Sequence, residues 1–501
     1  MNHNAIQPFV NALGTSNVIF DAKRLSEALH NTLGVSREVP AILYPSSVSQ
    51  VAEIVGIANE HKTPLYPIST GRNMGYGDKA PVQDGNVIVD LSRMNAIRDF
   101  DEALGHIILE PGVTQAALHD FLVENNVPFW MDATGSGYDS SIVGNALDGG
   151  FGHTPKGNKR ESIFDLEIVC GNGTILKTGD LQGFGPDLRG LFVQSNFGIV
   201  TALKTELMPV PERYESFVFK VLEDRQLEAL INVIRKLRQN QTLTSLVHVA
   251  NATRSLITTR ELPKGYQERL LTCEDAVKIM SSPIVKVGYW TAIGGLYGSA
   301  REVQAKKAVL KEAVKGIGKV AFFSDGKIRK LSRLKILGRG MARSIESLAY
   351  IHGLGKGVPN DMQVKNIKWR VENPDDMGLL FFAPNVTAEG KTVRDMVSTA
   401  EGLFRKHGFE FAITITYIRP EQVAGLMNIG FDKRNQTEKT RAFGLYQDLK
   451  EAFARKDIYP YRHHIEAMSG IRYEPGKRDV LAALKKAFDP NNIIAPGRYG
   501  V

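Results

Sequence analysis

The stretch Pro67-Ile68-Ser69-Thr70-Gly71-Arg72-Asn73-Met74-Gly75-Tyr76-Gly77 is where residue type and spacing first suggest chemistry. Glycines accept positive φ and let backbone come close to a ligand. Successive N–H groups in such a turn can converge on one concavity and hold a diphosphate. The same composition also builds a tight surface turn. A second loop tips the balance: Asp132-Ala133-Thr134-Gly135-Ser136-Gly137-Tyr138-Asp139-Ser140-Ser141-Ile142-Val143-Gly144-Asn145, running on into Gly149-Gly150-Phe151-Gly152-His153-Thr154-Pro155. Two backbone-donor loops suit a large polyphosphate ligand better than one does. The first loop does not read Gly-x-Gly-x-x-Gly, so a dinucleotide-binding Rossmann domain is disfavoured. His153, beside the second loop, reads as a structural histidine rather than a base. Near the other end of the chain, Tyr461-Arg462-His463-His464 sets a phenol, a guanidinium and two imidazoles in a row. On a strand His463 and His464 face opposite sides, and no third ligand is spaced for a metal.

These loops need elements to hold them. Thr63–Pro67 is a strand-like lead into the first loop, and Ala41–Pro45 is a short apolar strand. Between them Ser47 precedes Val48, Val51, Ile54, Val55 and Ala58 at helical spacing, and Gln50 three residues on predicts a capping box. Asn86–Leu91 is a further strand. The order is β-α-β, with the loop at a strand's carboxyl end, where ligands sit in α/β folds. A strand and turn follow at 106–113, and Thr114 caps a helix through Leu122. Ile163–Leu176 reads as a hairpin turning at Gly171-Asn172-Gly173, and 192–200 as a compact loop and strand. Pro209 and Pro211 mark a boundary. Beyond it lie amphipathic segments at 227–237, 300–314 and 393–406, with strands such as Val285–Ala292 and Leu379–Phe382 between them. The tail returns to short motifs and a helix over 478–488.

Composition sets the bounds. The chain has 501 residues, which predicts two or three domains. At 43% apolar and 23% charged it has a globular composition, and no apolar run is long enough to cross a bilayer. The N-terminus has no basic region followed by an apolar one, and Cys170 and Cys273 are the only cysteines. Both features predict a cytoplasmic protein without a disulfide framework. The net charge of +8 is dispersed, and runs such as Lys327–Lys330 and Arg333–Lys335 are mixed with apolar residues. Nucleic-acid and membrane partners are not expected.

Taken together, the motifs resemble those of the vanillyl-alcohol oxidase/p-cresol methylhydroxylase family of flavoproteins. The residues that carry the resemblance are Ser69–Gly77, Glu110-Pro111-Gly112-Val113, Trp130-Met131-Asp132, Val143-Gly144-Asn145, Gly152–Pro155, Gln194–Val200, Tyr461-Arg462 and Asp489–Arg498. They span nearly the whole chain in family order. The resemblance implies an α+β fold, in which a two-subdomain FAD-binding domain lies beneath an α+β substrate (cap) domain. The divisions expected are 1–214 for the first part of the FAD domain, 215–457 for the cap and 458–501 for the return. It implies FAD held by Pro67, Ser69, Thr70, Gly71, Arg72, Asn73, Met74, Thr134, Gly135, Ser140, Ser141, Gly144, Asn145, Gly152, Gly198, Ile199 and Arg498. It also implies a phenol-binding group of Tyr76, Tyr461 and Arg462. There a fixed positive charge and two hydroxyl donors would favour a substrate phenolate, which gives up benzylic hydride more readily than the phenol.

Two positions depart from the family pattern. The position that tethers FAD in many members falls on Leu379, in Leu379-Leu380-Phe381-Phe382-Ala383-Pro384, so a non-covalent flavin is expected. The carboxylate that oxidase members place near flavin N5 falls on Gly135, with Asp139 a stand-in that more plainly serves the turn. The leading expectation is an FAD-dependent oxidoreductase of para-substituted phenols or aromatic alcohols. It would pass electrons to oxygen or a redox protein and could be a homodimer or larger. Gly135 and Leu379 motivate a second expectation, a non-phenolic alcohol or biosynthetic intermediate. A non-catalytic basic binding protein is a third, resting on net charge alone.

Overall fold

A computed structural model describes residues 3–179, 184–262, 265–266, 269–281, 287–333, 339–366 and 369–500. The β-α-β unit forms where the pattern placed it. Strands Ile42–Leu43 and Leu65–Ile68 flank Val87–Asp90, all parallel, with Val18–Ile19 added antiparallel at one edge. Helix Val48–His61 makes the crossover and buries Val51, Ile54, Val55 and Ala58. Ser47 caps it by accepting from the Gln50 amide at 3.3 Å. The capping box itself is shifted by one residue: the Gln50 side chain accepts from the Ser46 amide rather than that of Ser47.

A second, five-stranded antiparallel sheet runs Ile97–Asp101, His106–Leu109, Gly198–Glu206, Ile163–Cys170 and Ile175–Lys177. Its last pair is the hairpin expected around residues 171–173. The tail comes back to the first sheet. The Leu65 amide donates to Ile493 O at 2.7 Å and the Ala495 amide to Leu65 O at 2.6 Å.

The middle of the chain builds an eight-stranded antiparallel sheet. Its order is Lys319–Phe323, Arg213–Val221, Trp290–Gly298, His248–Asn251, Ile413–Arg419, Gln422–Asp432 and Met377–Phe382, with Asn385–Thr387 beside the sixth. Residues 285 and 286 of the expected strand Val285–Ala292 lie outside the described residues. The strand begins at Trp290 and runs on to Gly298, because it pairs with the whole of Arg213–Val221. Helices Leu227–Gln239, Ala300–Ala313, Gly390–Lys406 and Gln436–Ala454 contribute apolar side chains to the core against one face of this sheet.

Period-two alternation decides what the other face presents. In Ile413-Thr414-Ile415-Thr416-Tyr417 the isoleucines and Tyr417 enter the helix-covered core, while the threonines face the opposite way, onto a cavity. Val249 is likewise in the core, and His248 and Ala250 are on the cavity side. The cavity lies between this sheet above and the glycine-rich loops below.

Candidate active site

The cavity has a volume of about 450 Å³. Its floor is made by both glycine-rich loops, the start of the strand Gly198–Glu206 and the tail residues Tyr461, Arg462, Arg498 and Tyr499. Gly75 has φ +76°, and a Cβ there would stand 2.3 Å from the Phe381 ring, so the first loop closes tightly under the roof. A Cβ on Gly144 would stand 2.3 Å from Ser69 Oγ, which brings the two loops into contact. Ser141 begins the short helix Ile142–Leu147 and accepts from the Gly144 amide at 2.9 Å.

Tyr76, Tyr461 and Arg462 meet at one end, although 384 residues or more separate the first from the others. Tyr76 stacks on Phe381 with ring centroids 5.6 Å apart. The Arg462 guanidinium lies over the Tyr76 ring, 4.0 Å from its centroid. Burial above all, then the nearby Tyr461 oxygen, pushes the Tyr76 phenol well above its usual range, so it stays protonated and able to donate. Tyr461 is fixed through its backbone: its amide donates to Ala383 O at 3.0 Å, and its carbonyl accepts from Gln194 Nε2 at 2.8 Å.

Asp148 organises this end, and nothing in its sequence context announced it. Arg462 Nη2 donates to Asp148 Oδ2 at 2.7 Å and to Asn73 Oδ1 at 2.6 Å. Tyr499 donates to Asp148 Oδ1 at 2.6 Å, and Arg498 approaches the same oxygen at 3.4 Å. Burial alone would raise the Asp148 carboxyl, but the two arginines and the tyrosine outweigh it and hold it below its usual range. Among the described residues, Arg462 Nε and Nη1 have no protein hydrogen bond.

The floor fits a nucleotide-like group. Thr70 Oγ1, Asn145 Oδ1 and Arg498 Nε are buried on the cavity wall without a protein partner. Two can donate and one accepts, as a ligand with phosphate oxygens and ring or sugar hydrogen-bonding edges requires. Of the residues expected to hold the cofactor, all but Gly152 and Ile199 line the cavity. Ile199 is on the wrong side of its strand: Gly198 and Val200 face the cavity while Ile199 is fully buried in the core. Gly152 backs onto Asp132, whose carboxylate accepts from the His153 and Thr154 amides at 3.0 and 2.8 Å and pairs with Lys159 at 2.6 Å.

Other expectations shift in position. Gly135 does face the cavity, but its side-chain space is taken by Gln363, whose Oε1 would lie 2.4 Å from a Cβ there, with the Tyr350 hydroxyl 3.1 Å away. Asp139 is not a stand-in carboxylate: it pairs with Arg72 at 2.9 Å, its side chain 69% exposed, off the cavity wall. His463 and His464 sit on no strand, and neither lines the cavity. His464 packs on Tyr446 with ring centroids 4.2 Å apart. His153 meets the roof's His248 ring at 4.3 Å, and burial chiefly pushes its pKa down to about 4, so it is neutral. No cluster of metal-ligating side chains occurs among the described residues. Among them no helix is long and apolar enough to cross a membrane.

Comparison with known proteins bears on what the floor holds. A family model described as an FAD binding domain matches residues 39–179. The chain is 30% identical to the 1'-carboxy-chondrochloren decarboxylase of Chondromyces crocatus, over 99% of this chain and 96% of that protein. It is 28% identical to the 4-cresol dehydrogenase [hydroxylating] flavoprotein subunit of Pseudomonas putida, over 100% and 95% of the two. The crystal structure of p-cresol methylhydroxylase with substrate bound is similar at a TM-score of 0.90 and 28% identity, covering 99% of this chain and 96% of that one. The cofactor that the floor fits is FAD.

Proposed function

The chain belongs to the vanillyl-alcohol oxidase/p-cresol methylhydroxylase family of FAD-linked oxidoreductases, and on that premise we propose that it oxidises a para-substituted phenol at the benzylic carbon. The observation that carries this reading is the convergence of two phenols and a guanidinium with two nitrogens unspent at one end of the cavity. FAD, when bound, supplies the hydride acceptor. The polypeptide supplies the rest. Arg462 holds a permanent charge beside the substrate oxygen, kept there by Asp148 and Asn73. Tyr76 and Tyr461 bring two hydroxyls to the same place. Such donors, fixed before the substrate arrives, stabilise a phenolate without reorganising around it. Ser69–Met74 and Ser140–Asn145 are the loops we assign to the diphosphate, and Arg498 to the flavin side of the floor. Leu379 carries no nucleophile, which supports a flavin held without a covalent bond.

The two named relatives differ in outcome, and one first event accommodates both. Once hydride has left the benzylic carbon, water can add to the resulting quinone methide. If instead the neighbouring carbon bears a carboxylate, its C–C bond can break toward the ring, releasing carbon dioxide and restoring the phenol. Anaerobic mixing of the holoenzyme with a panel of 4-alkylphenols and vanillyl-type alcohols tests the reading. Bleaching of the flavin is expected, slowed roughly 100-fold in Tyr461→Phe. A flavin left oxidised by every phenol would overturn it.

A further inference from the structure

The roof carries a second arginine, and its surroundings differ from those of Arg462. Arg254 is the third residue of helix Ala252–Thr259, which the Asn251 side chain caps by accepting from the Arg254 amide at 2.9 Å. Its side chain lines the cavity. Its Nε donates to Thr414 Oγ1 at 3.2 Å. Among the described residues, neither of its terminal nitrogens has a protein acceptor. The acids on the cavity wall are Asp78 and Asp148, and both are committed elsewhere. Asp78 accepts from the amide and hydroxyl of Thr32, each at 2.6 Å. Asp148 serves Arg462, Arg498 and Tyr499.

A guanidinium withdrawn from bulk water with no counter-charge is costly. Burial pulls the pKa of Arg254 down to about 10, which still leaves it charged at neutral pH. The neighbouring polar groups favour an anion. Tyr350 and Gln363 border the same space, and burial keeps the Tyr350 hydroxyl protonated. The helix hydroxyls offer no competing charge: those of Ser255 and Thr258 donate to carbonyls of their own helix.

We propose that Arg254 forms an anion subsite that receives a carboxylate carried on the para side chain of the substrate. This rests on the reading of the phenol end given above. Thr414 lies two strands across the roof from Phe381, which stacks on Tyr76. Two inter-strand spacings put the subsite on the order of 10 Å from the phenol end, a span that a phenol ring and a short carbon chain bridge. One guanidinium with no second cation beside it matches a monoanionic carboxylate, which its two terminal nitrogens can take in parallel. It does not match a phosphate dianion. Arg254 comes from the roof, whereas the loops assigned to the diphosphate form the floor.

The test is a pair of ligands differing in one group, 3-(4-hydroxyphenyl)propanoate and its uncharged amide, titrated by calorimetry without air against holoenzyme whose flavin has been reduced with dithionite, so that neither phenol is oxidised during the measurement. The wild type is expected to bind the propanoate at least 10-fold more tightly than the amide. Arg254→Met should erase that preference while leaving the amide within about 2-fold, and Arg254→Lys should keep part of it. The thermal midpoint of unliganded Arg254→Met should not fall, since no acid is orphaned. Equal loss of both ligands in Arg254→Met, or release of flavin from it, would overturn the subsite and assign Arg254 to structure or cofactor. Equal binding of both ligands by the wild type would overturn the subsite and leave the phenol reading intact. Failure of both ligands to bind the wild type would overturn the phenol reading, and the subsite with it.

Discussion

The floor and the roof of the cavity handle buried charge in opposite ways. On the floor, Asp148 sits between Arg462 and Arg498 and takes a hydrogen bond from Tyr499, so each charge there has a partner among its neighbours. On the roof, Arg254 rests on one threonine hydroxyl and has no acid within reach among the described residues. The floor is also built of backbone and short polar side chains set by tight turns, while the roof is one face of a regular sheet. A site whose charges are already balanced does not depend on a charge brought by its ligand. A site left one charge short depends on what enters it. That contrast suits a resident cofactor along the floor and, at the Arg254 end of the roof, a charged group that comes and goes with the substrate.

The strongest way to break the comparison is to unbalance the floor. Asp148→Asn leaves two arginines buried without their acid and should cost about 3–5 kcal/mol, read as a lower denaturation midpoint and loss of flavin on dialysis. If stability is unchanged, the floor is not organised by that carboxylate. Gly75→Ala strikes where the floor meets the roof. Its φ of +76° and the Phe381 ring 2.3 Å from the new Cβ predict a loss of about 2–3 kcal/mol, with weaker binding of phenols as Phe381 presses on Tyr76.

Acid should loosen the seam between the two regions. His153 belongs to the floor and His248 to the roof, and His248 also bonds Gly152 O at 3.1 Å. Burial depresses both pKa values, that of His153 to about 4. The folded state therefore keeps them neutral where the unfolded chain takes up protons, near pH 6.5. Their contribution to stability is complete above that pH and is lost as pH falls from about 6.5 toward 4, by on the order of 1 kcal/mol per histidine per pH unit at most. Thermal midpoints measured across that window should fall, and less steeply in His153→Phe. The smallest effect is expected at the exposed pair of Arg72 and Asp139: Asp139→Asn should change stability by under about 0.5 kcal/mol and turnover by less than about 2-fold, as assayed with the best phenol of the panel. A large loss of turnover would return Asp139 to the list of reacting groups.

Parts of this architecture are legible in the chain. Ser47 and Thr114 read as caps and serve as caps. The glycine-rich loops foretell a cradle. The resemblance of short motifs also leads to the right family, because glycines in turns and capping serines are dictated locally. Ile199 marks the limit of reading a motif as a block, since alternate residues of one strand face opposite ways. Asp148 escapes detection because its partner Arg462 is 314 residues away and its own neighbours carry no signal. The same holds for Gln363, which fills the space left by Gly135 from a different part of the chain.

What the sequence determined by itself is therefore local: where strands, caps and donor loops lie, and which cofactor class such loops suit. Tertiary structure alone decided which charges are neutralised. Coulombic pairing and desolvation depend on distances through space, and those are set only when the tail returns to the floor and the sheet closes above it.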